Sequence, residues 1–250
     1  MNETEPPSIQ PAFLVSLVVE PQMHEKGLML GNADFGTGEF KKAFKAADVN
    51  SDYVLVLEEF KTFYARTEQI ELQVYMTIPF VEESKEGEAE SQFFNTVCLA
   101  GPSGEVVVHY RKTHLWDYVD GSWASRGDSP GFVETEFGRV GIGVCYDIHR
   151  LAQLYSNSNL WALLYSVAWV GHPTDGPTER WFRKDLSETY LGRDGLKCFV
   201  VAANWSTDRE YFWDGAGYSS IYGQDGQRLA YLNDEVGDSI LYSDIPCHSS

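Results

Sequence analysis

The chain has 250 residues, of which 43% are apolar and 14% aromatic, and its formal net charge is −18. This composition suits one sizeable α/β domain or two small ones and excludes a disordered chain. So acidic a surface repels phosphate groups, which makes nucleic acid and anionic membranes poor partners.

Residues 1–12 are polar and Pro-rich and lack the basic flank and apolar stretch of a signal peptide, so we predict a flexible N-terminal segment. No apolar run reaches the roughly 18 residues of a membrane span. The cysteines contain no C-x-x-C pair, which disfavours a zinc ribbon or thioredoxin motif and favours a reduced compartment. We therefore expect a cytoplasmic protein whose thiols are structural or catalytic: Cys98, Cys145, Cys198 and Cys247.

The predicted elements alternate between strands and helices along the chain. Short apolar runs predict strands, and apolar residues at helical spacing predict helices. Residues 20–38 are Gly-rich and receive no assignment, and the acidic residues 82–90 predict a solvated loop. Strands are predicted at residues 13–19, 53–57, 72–80 (ended by Pro79), 94–100, 105–110, 139–144, 160–167, 198–203, 217–222, 228–231 and 239–245. Helices are predicted at 39–47, 62–69, 151–155 and 180–191. This pattern indicates an α/β layered fold with a mixed sheet.

The first segment with chemical potential is RVGIGVCYD at 139–147, an apolar strand that ends at Cys145 just before a predicted helix. Open α/β sheets hold their sites at such strand ends. There a helix N-terminus and a nearby cation lower the pKa of a thiol, and the N–H of Tyr146 is placed to donate to an oxyanion. The alternative is a small buried residue, which is the usual fate of a free cysteine.

Two other segments place charged residues after predicted strands. YRKTHLW at 110–116 leads into a loop that contains Lys112 and His114. The alternative interpretation is an ordinary basic loop without a catalytic role. YVLVLEEF at 53–60 contains Glu58 and Glu59 after its apolar run. The alternative interpretation is that both are solvated carboxylates in the first turn of a helix.

Together, in the order Glu–Lys–Cys, these segments resemble the nitrilase superfamily, and within it the ω-amidase type of small-amide hydrolase. The resemblance is good over residues 62–246 and weaker over 13–61, so we expect one hydrolase domain at 13–246. It implies an αββα four-layer sandwich and a homodimer. Its specific patterns are R-K-x-H-L and F-G-R-x-G-x-x-x-C-Y-D, within matching segments at 93–116, 127–147, 198–206 and 217–245.

The resemblance also implies a mechanism. Cys145 would attack the carbonyl of a small-molecule amide, and Glu58 would take the thiol proton and return it to the leaving amine. Lys112 and the Tyr146 N–H would stabilise the oxyanion, and water would then hydrolyse the thioester. This chemistry needs no metal or organic cofactor.

The chain also departs from the family pattern. Leu57 stands where the family usually has Pro, and the stretches between Glu58, Lys112 and Cys145 are short. A second Glu is missing after the lysine, and Asp117 or Asp120 is only a partial substitute. Two residues are missing after CYD. The alternative function is therefore a catalytically impaired nitrilase-fold protein that acts as a binding or calcium-responsive module.

A second resemblance, to an EF-hand, competes for residues 39–64. Potential calcium ligands fall at loop positions 1, 3, 5 and 12, although Tyr53 replaces the usual Gly at position 6. If this hypothesis holds, residues 53–57 are not a core strand and the catalytic triad lacks its Glu. A Cys145–His149 dyad is a further alternative. The candidate calcium ligands are Asp48, Asn50, Asp52 and Glu59.

Overall fold

The architecture is known from a computed structural model, which describes residues 16–19, 28–31, 75–84, 91–102, 105–169, 180–204, 217–232 and 240–246. The strands within these ranges are β1 (Ser16–Val19), β2 (Leu28–Gly31), β3 (Tyr75–Ser84), β4 (Gln92–Ala100), β5 (Val106–Arg111), β6 (Ala124–Ser125), β7 (Phe132–Thr135), β8 (Gly138–Val144), β9 (Ala162–Val167), β10 (Phe199–Asn204), β11 (Ser220–Tyr222), β12 (Arg228–Tyr231) and β13 (Ile240–Ser243).

These strands form two sheets. The first has seven strands in the order β13-β2-β1-β3-β4-β5, with β6 paired in parallel to β4. The second has six strands in the order β12-β11-β10-β9-β8-β7. Its three central strands, β8, β9 and β10, are parallel, so their carboxyl ends lie at one edge of the sheet. In open α/β sheets this edge is where functional sites form.

A hydrophobic core joins the two sheets. Val97 and Leu99 of β4 pack there with Ile142 of β8 and Leu164 of β9. The neighbours of Leu164 in sequence, Leu163 and Tyr165, point to the opposite face of the second sheet and belong to a second core. Because β9 is buried on both faces, its sequence is largely apolar, and its polar Ser166 is buried as well.

Helices cover the outer face of the second sheet. The helix α1 (Ile148–Leu154) follows β8, and α2 (Leu186–Tyr190) continues directly from a π-helical turn at Trp181–Asp185. Leu151 and Leu186 are completely buried beneath these helices. No helix in the described ranges has the length and apolar character needed to cross a membrane.

Part of the outer face of the first sheet is buried as well. Ile78 of β3 is paired with Cys98 of β4, and both side chains are almost fully buried outside the core between the sheets. The predicted helices 39–47 and 62–69 and the predicted strand 53–57 lie outside the described residues. The two stacked sheets, with helices outside the second, form the α/β sandwich that the sequence predicted.

Several predicted boundaries were wrong. Pro79 does not end β3, which continues to Ser84. It is tolerated because the described pairing of β3 with β1 stops at Met76, so no bond to that neighbour is lost at Pro79. Glu82 belongs to this strand and not to a solvated loop, because Arg111 of β5 pairs with its carboxylate. No sequence pattern predicted the strands β2, β6 and β7.

Candidate active site

Cys145 occupies a strained position at the carboxyl edge of the second sheet. It begins a 3₁₀ turn, Cys145–Asp147, immediately after β8, and α1 follows. Its φ is 44°, in the left-handed region that a residue with a side chain seldom adopts. The Tyr165 hydroxyl donates to the Cys145 carbonyl at 2.6 Å. This bond from β9 helps to hold the strained conformation.

The surroundings of the Cys145 thiol have opposing electrostatic effects. Burial raises the pKa of the thiol, and this effect is the largest. The positive charge of Lys112 and backbone hydrogen bonds from Ala168 and Tyr146 lower it, whereas Asp120 raises it. The predicted lowering of the pKa by a nearby cation is therefore present, but the loss of hydration outweighs the cation and the backbone donors, and the pKa is raised overall. A thiol with a raised pKa is protonated at neutral pH and needs a base before it can attack.

Lys112 forms a buried ion pair beside this thiol. It directly follows β5, and only 2% of its surface is exposed. Its Nζ lies 2.5 Å from Oδ2 of Asp120, which is also buried. The other suggested substitute for a second Glu, Asp117, is exposed and lies near Arg126. The structure therefore selects Asp120 as the partner of the lysine.

The loop around this ion pair is fixed by further hydrogen bonds. The Asn95 carbonyl accepts the Lys112 N–H at 2.8 Å, and the Asn95 amide donates to Asp120 Oδ1 at 3.2 Å. The Trp116 N–H donates to Asp120 Oδ2 at 2.9 Å. A Cβ on Gly127 would lie 2.1 Å from the Arg111 carbonyl oxygen, so only glycine allows this close backbone approach. The lysine is thus held with little freedom to move.

Aromatic rings cluster around Tyr146, the residue that follows Cys145. The Tyr146 ring lies 5.1 Å from His114 and 6.3 Å from Trp116 between centroids, with near-parallel planes in both pairs. On the helical side, His149 lies 4.5 Å from Tyr146, and its Nδ1 is 2.7 Å from the Tyr190 hydroxyl. Among the contacts of the described residues, none joins His149 to the Cys145 thiol. The geometry therefore does not support a Cys145–His149 dyad.

Some predicted site residues lie outside the described residues. They are the proposed base, Glu58, and the candidate calcium ligands Asp48, Asn50, Asp52 and Glu59. Both hypotheses for residues 39–64 therefore stay predictions. In the part of the chain that the structure does describe, no group of three acidic, His or Cys side chains is placed to hold a metal ion.

Sequence reasoning missed or undervalued three features of the site. The sequence indicated Asp120 only as a partial substitute for the missing second Glu, because its pairing with Lys112 depends on how the intervening loop folds. Ala168 lowers the pKa of the Cys145 thiol through a backbone hydrogen bond, which its residue type cannot indicate. The sequence indicated only that Tyr165 belongs to a buried strand, and the structure shows that its hydroxyl donates a hydrogen bond to the Cys145 carbonyl.

Two stacked sheets, with a strained cysteine at the edge of one beside a buried lysine from the other, define an α/β sandwich with a candidate cysteine site. A model of the family named carbon-nitrogen hydrolase matches residues 35–249. The chain therefore belongs to the carbon–nitrogen hydrolase family, and the predicted membership of the nitrilase superfamily is confirmed.

The chain is similar to curated omega-amidases. It is 30% identical to omega-amidase NIT2 of Xenopus tropicalis over 168 residues, which are 63% of this chain and 58% of that protein. It is 27% identical to omega-amidase NIT2 of Danio rerio over 224 residues, which are 86% of this chain and 73% of that protein. The chain thus spans less than two thirds of the Xenopus relative.

Solved structures confirm the nitrilase-type sandwich. Nit3 of Saccharomyces cerevisiae, a member of the nitrilase superfamily, superposes with a TM-score of 0.56 at 18% identity, covering 84% of this chain and 71% of Nit3. An amidase from Nesterenkonia sp. AN1, with acrylamide added to its active-site cysteine, gives a TM-score of 0.53 at 17% identity, covering 83% of this chain and 71% of the amidase.

Proposed function

We propose that this chain hydrolyses the C–N bond of a small amide through a thioester on Cys145. The observation that carries the proposal is the convergence of three groups on the thiol. These are the buried Lys112 ammonium, close enough to lower the thiol pKa, and the backbones of Tyr146 and Ala168, which bond to the sulfur. Fixed donors around a nucleophile are what acyl transfer requires.

The proposed reaction begins with a proton transfer. Burial keeps the Cys145 thiol protonated, so a base must remove its proton, and Glu58 is our candidate. The sulfur then bonds to the amide carbonyl carbon, and the C–N bond breaks as Glu58 returns the proton to the departing nitrogen. Water, activated by the same carboxylate, cleaves the thioester to release the acid and restore the thiol. Side chains carry every proton, so this scheme calls for no metal ion or organic cofactor.

Lys112 and Asp120 have separate roles in this scheme. The Lys112 ammonium stabilises the negative oxygen of the tetrahedral intermediate, together with the Tyr146 N–H. Asp120 holds that ammonium in place through the 2.5 Å contact and does not itself contact the substrate. A donor that is already fixed costs no reorganisation when charge develops, which is why such an arrangement accelerates acyl transfer.

The proposed substrate class follows from the relatives and from the charges around His114. The similar proteins are named omega-amidases, which supports a small amide as substrate. Arg150, Arg126 and Lys112 act electrostatically on His114, which stacks on Tyr146, and Asp117 acts in the opposite sense, so the positive charges predominate. In a chain of net charge −18, this local positive charge favours a substrate that carries a carboxylate. We also propose, from the family resemblance and the sequence alone, a cytoplasmic homodimer.

Ammonia release from a panel of small amides tests the proposal. The panel pairs amides that carry a distal carboxylate with neutral amides of the same length, and includes a short peptide as a negative control. We expect turnover of small amides, with the carboxylated member of each pair favoured, and loss of turnover in Cys145→Ala. Cys198→Ala, a buried cysteine in the second core, is the matched control and should retain activity. Equal activity of Cys145→Ala and wild type would overturn the proposal.

A further inference from the structure

We propose that Asp147 is a positioning residue that fixes the Lys112 loop against the Cys145 turn, an inference that rests on the proposed function. Asp147 ends the 3₁₀ turn that Cys145 begins, and its side chain is completely buried. The reaction scheme gives this carboxylate no task.

The Asp147 carboxylate accepts four hydrogen bonds, two on each oxygen. Oδ1 accepts the His114 N–H at 2.7 Å and the Thr113 hydroxyl at 3.3 Å. Oδ2 accepts the Tyr110 hydroxyl at 2.8 Å and the Val144 N–H at 3.1 Å. Each oxygen therefore faces one backbone N–H, which cannot reverse its direction as a hydroxyl can.

These donors come from both sheets. Tyr110 belongs to β5 of the first sheet, and Thr113 and His114 directly follow Lys112. Val144 ends β8 of the second sheet and directly precedes Cys145. One carboxylate thus ties the two chain segments that carry the proposed oxyanion donor and nucleophile. Those segments belong to different sheets, so the carboxylate links them directly, in addition to the hydrophobic core between the sheets.

Asparagine cannot replace this carboxylate, although it has the same size. In either orientation its amide group would face a backbone N–H, of His114 or of Val144, and two donors would oppose each other. Asp147→Asn should therefore let the Lys112 loop move away from the thiol. Tyr110→Phe removes one of the four bonds and leaves the carboxylate in place, so it should have the same effect to a smaller degree.

The test is the pH dependence of iodoacetamide alkylation at Cys145, followed by mass spectrometry of the peptide that contains it. Lys112 lowers the thiol pKa, so displacement of the lysine raises the midpoint of the profile. Loss of the Asp147 negative charge by itself would lower the midpoint, because a nearby anion disfavours a thiolate. The two effects have opposite signs, which separates positioning from a simple charge effect.

We expect Asp147→Asn to raise the midpoint by about one pH unit, which slows alkylation at neutral pH about tenfold. Tyr110→Phe should slow it about threefold by the same argument. Tyr222→Phe, which removes a buried tyrosine hydroxyl bonded to the Phe182 carbonyl, is the matched control and should leave the profile unchanged.

The positioning role can be tested even if Asp147→Asn does not fold, because Tyr110→Phe is also expected to raise the midpoint of the alkylation profile. A midpoint that is unchanged or lower in folded Tyr110→Phe, or that shifts equally in Tyr222→Phe, would overturn the positioning role. Alkylation requires no amide turnover. A wild-type chain that releases no ammonia would therefore refute the proposed function without altering the outcome of this comparison.

Discussion

Lys112 and Asp120 form a buried ion pair, with 2.5 Å between Nζ and Oδ2, close enough to Cys145 for both charges to act on its thiol. The lysine comes from the first sheet and the cysteine from the second. An ion pair removed from water is expensive to desolvate and is a weak source of stability. Its presence beside a cysteine in a strained conformation is therefore better explained by function than by folding.

Removal of the carboxylate at Asp120 should destabilise the chain as well as slow turnover. Asp120→Ala leaves the Lys112 charge buried and unpaired, which costs about 3–5 kcal/mol. Urea unfolding measures the free energy of unfolding. Asp117→Ala, which removes the exposed carboxylate 3.7 Å from Arg126, is the control and should change it by less than about 1 kcal/mol. Similar losses in both variants would contradict the burial argument.

Lys112→Met should reduce kcat by about 10²–10³, the usual effect of removing one oxyanion donor. KM should change much less, because the donor acts mainly on the transition state. Steady-state ammonia release provides both constants. Lys184→Met, at an exposed lysine on the π-helical turn, controls for loss of a lysine charge and should have neither effect. A Lys112→Met enzyme with wild-type kcat would exclude the oxyanion role.

Glu58 and Glu59 distinguish the hydrolase hypothesis from the calcium hypothesis. Under the hydrolase hypothesis, Glu58→Gln abolishes turnover and Glu59→Gln has a mild effect. Under the calcium hypothesis, Glu59→Gln abolishes a calcium-dependent rise in Tm and Glu58→Gln changes little. We expect the first pattern, because Tyr53 occupies the loop position that favours Gly. The second pattern would leave the catalytic base unidentified.

The Glu82 carboxylate should make the fold sensitive to acid. Burial alone would raise its pKa, but hydrogen bonds from His109, Arg111 and Thr96 outweigh that effect and lower the pKa from 4.5 to about 2. Because the folded-state pKa is depressed, the stabilisation is fully present above about pH 4.5 and is lost as the pH falls through about 2.

Because His109 and Arg111 are about a third exposed, solvent screens part of this effect. Glu82→Gln should therefore cost about 1–2 kcal/mol at pH 7, and the difference from wild type should vanish near pH 2. Thermal or urea unfolding over this range measures the difference. Glu134→Gln, at an exposed carboxylate paired with Arg139, is the matched control and should cost little at any pH. A Glu82→Gln difference that persists unchanged at low pH would show that packing, not charge, is responsible.

The sequence predicted those parts of the molecule that depend on local pattern. The central strands β8, β9 and β10 are largely apolar, because both faces of their sheet are covered, and such runs are easy to recognise. The strand β2 was missed because its Gly-rich surroundings obscure its short run. Asp120 and Ala168 act through loop conformation and backbone position, which residue types do not encode. Whether the pKa of Cys145 is raised or lowered overall depends on how burial compares with the charge of Lys112, and only the structure shows that burial is the larger effect.

The most direct test of the central claim is detection of the thioester on Cys145. The chain is mixed with a small amide from the turnover panel, quenched in acid within the first turnovers, digested and analysed by mass spectrometry. We predict an acyl group on the peptide that contains Cys145, sensitive to hydroxylamine and absent from Lys112→Met quenched at the same time. Ammonia release without acylation of Cys145, or an acyl group on another residue, would contradict the account.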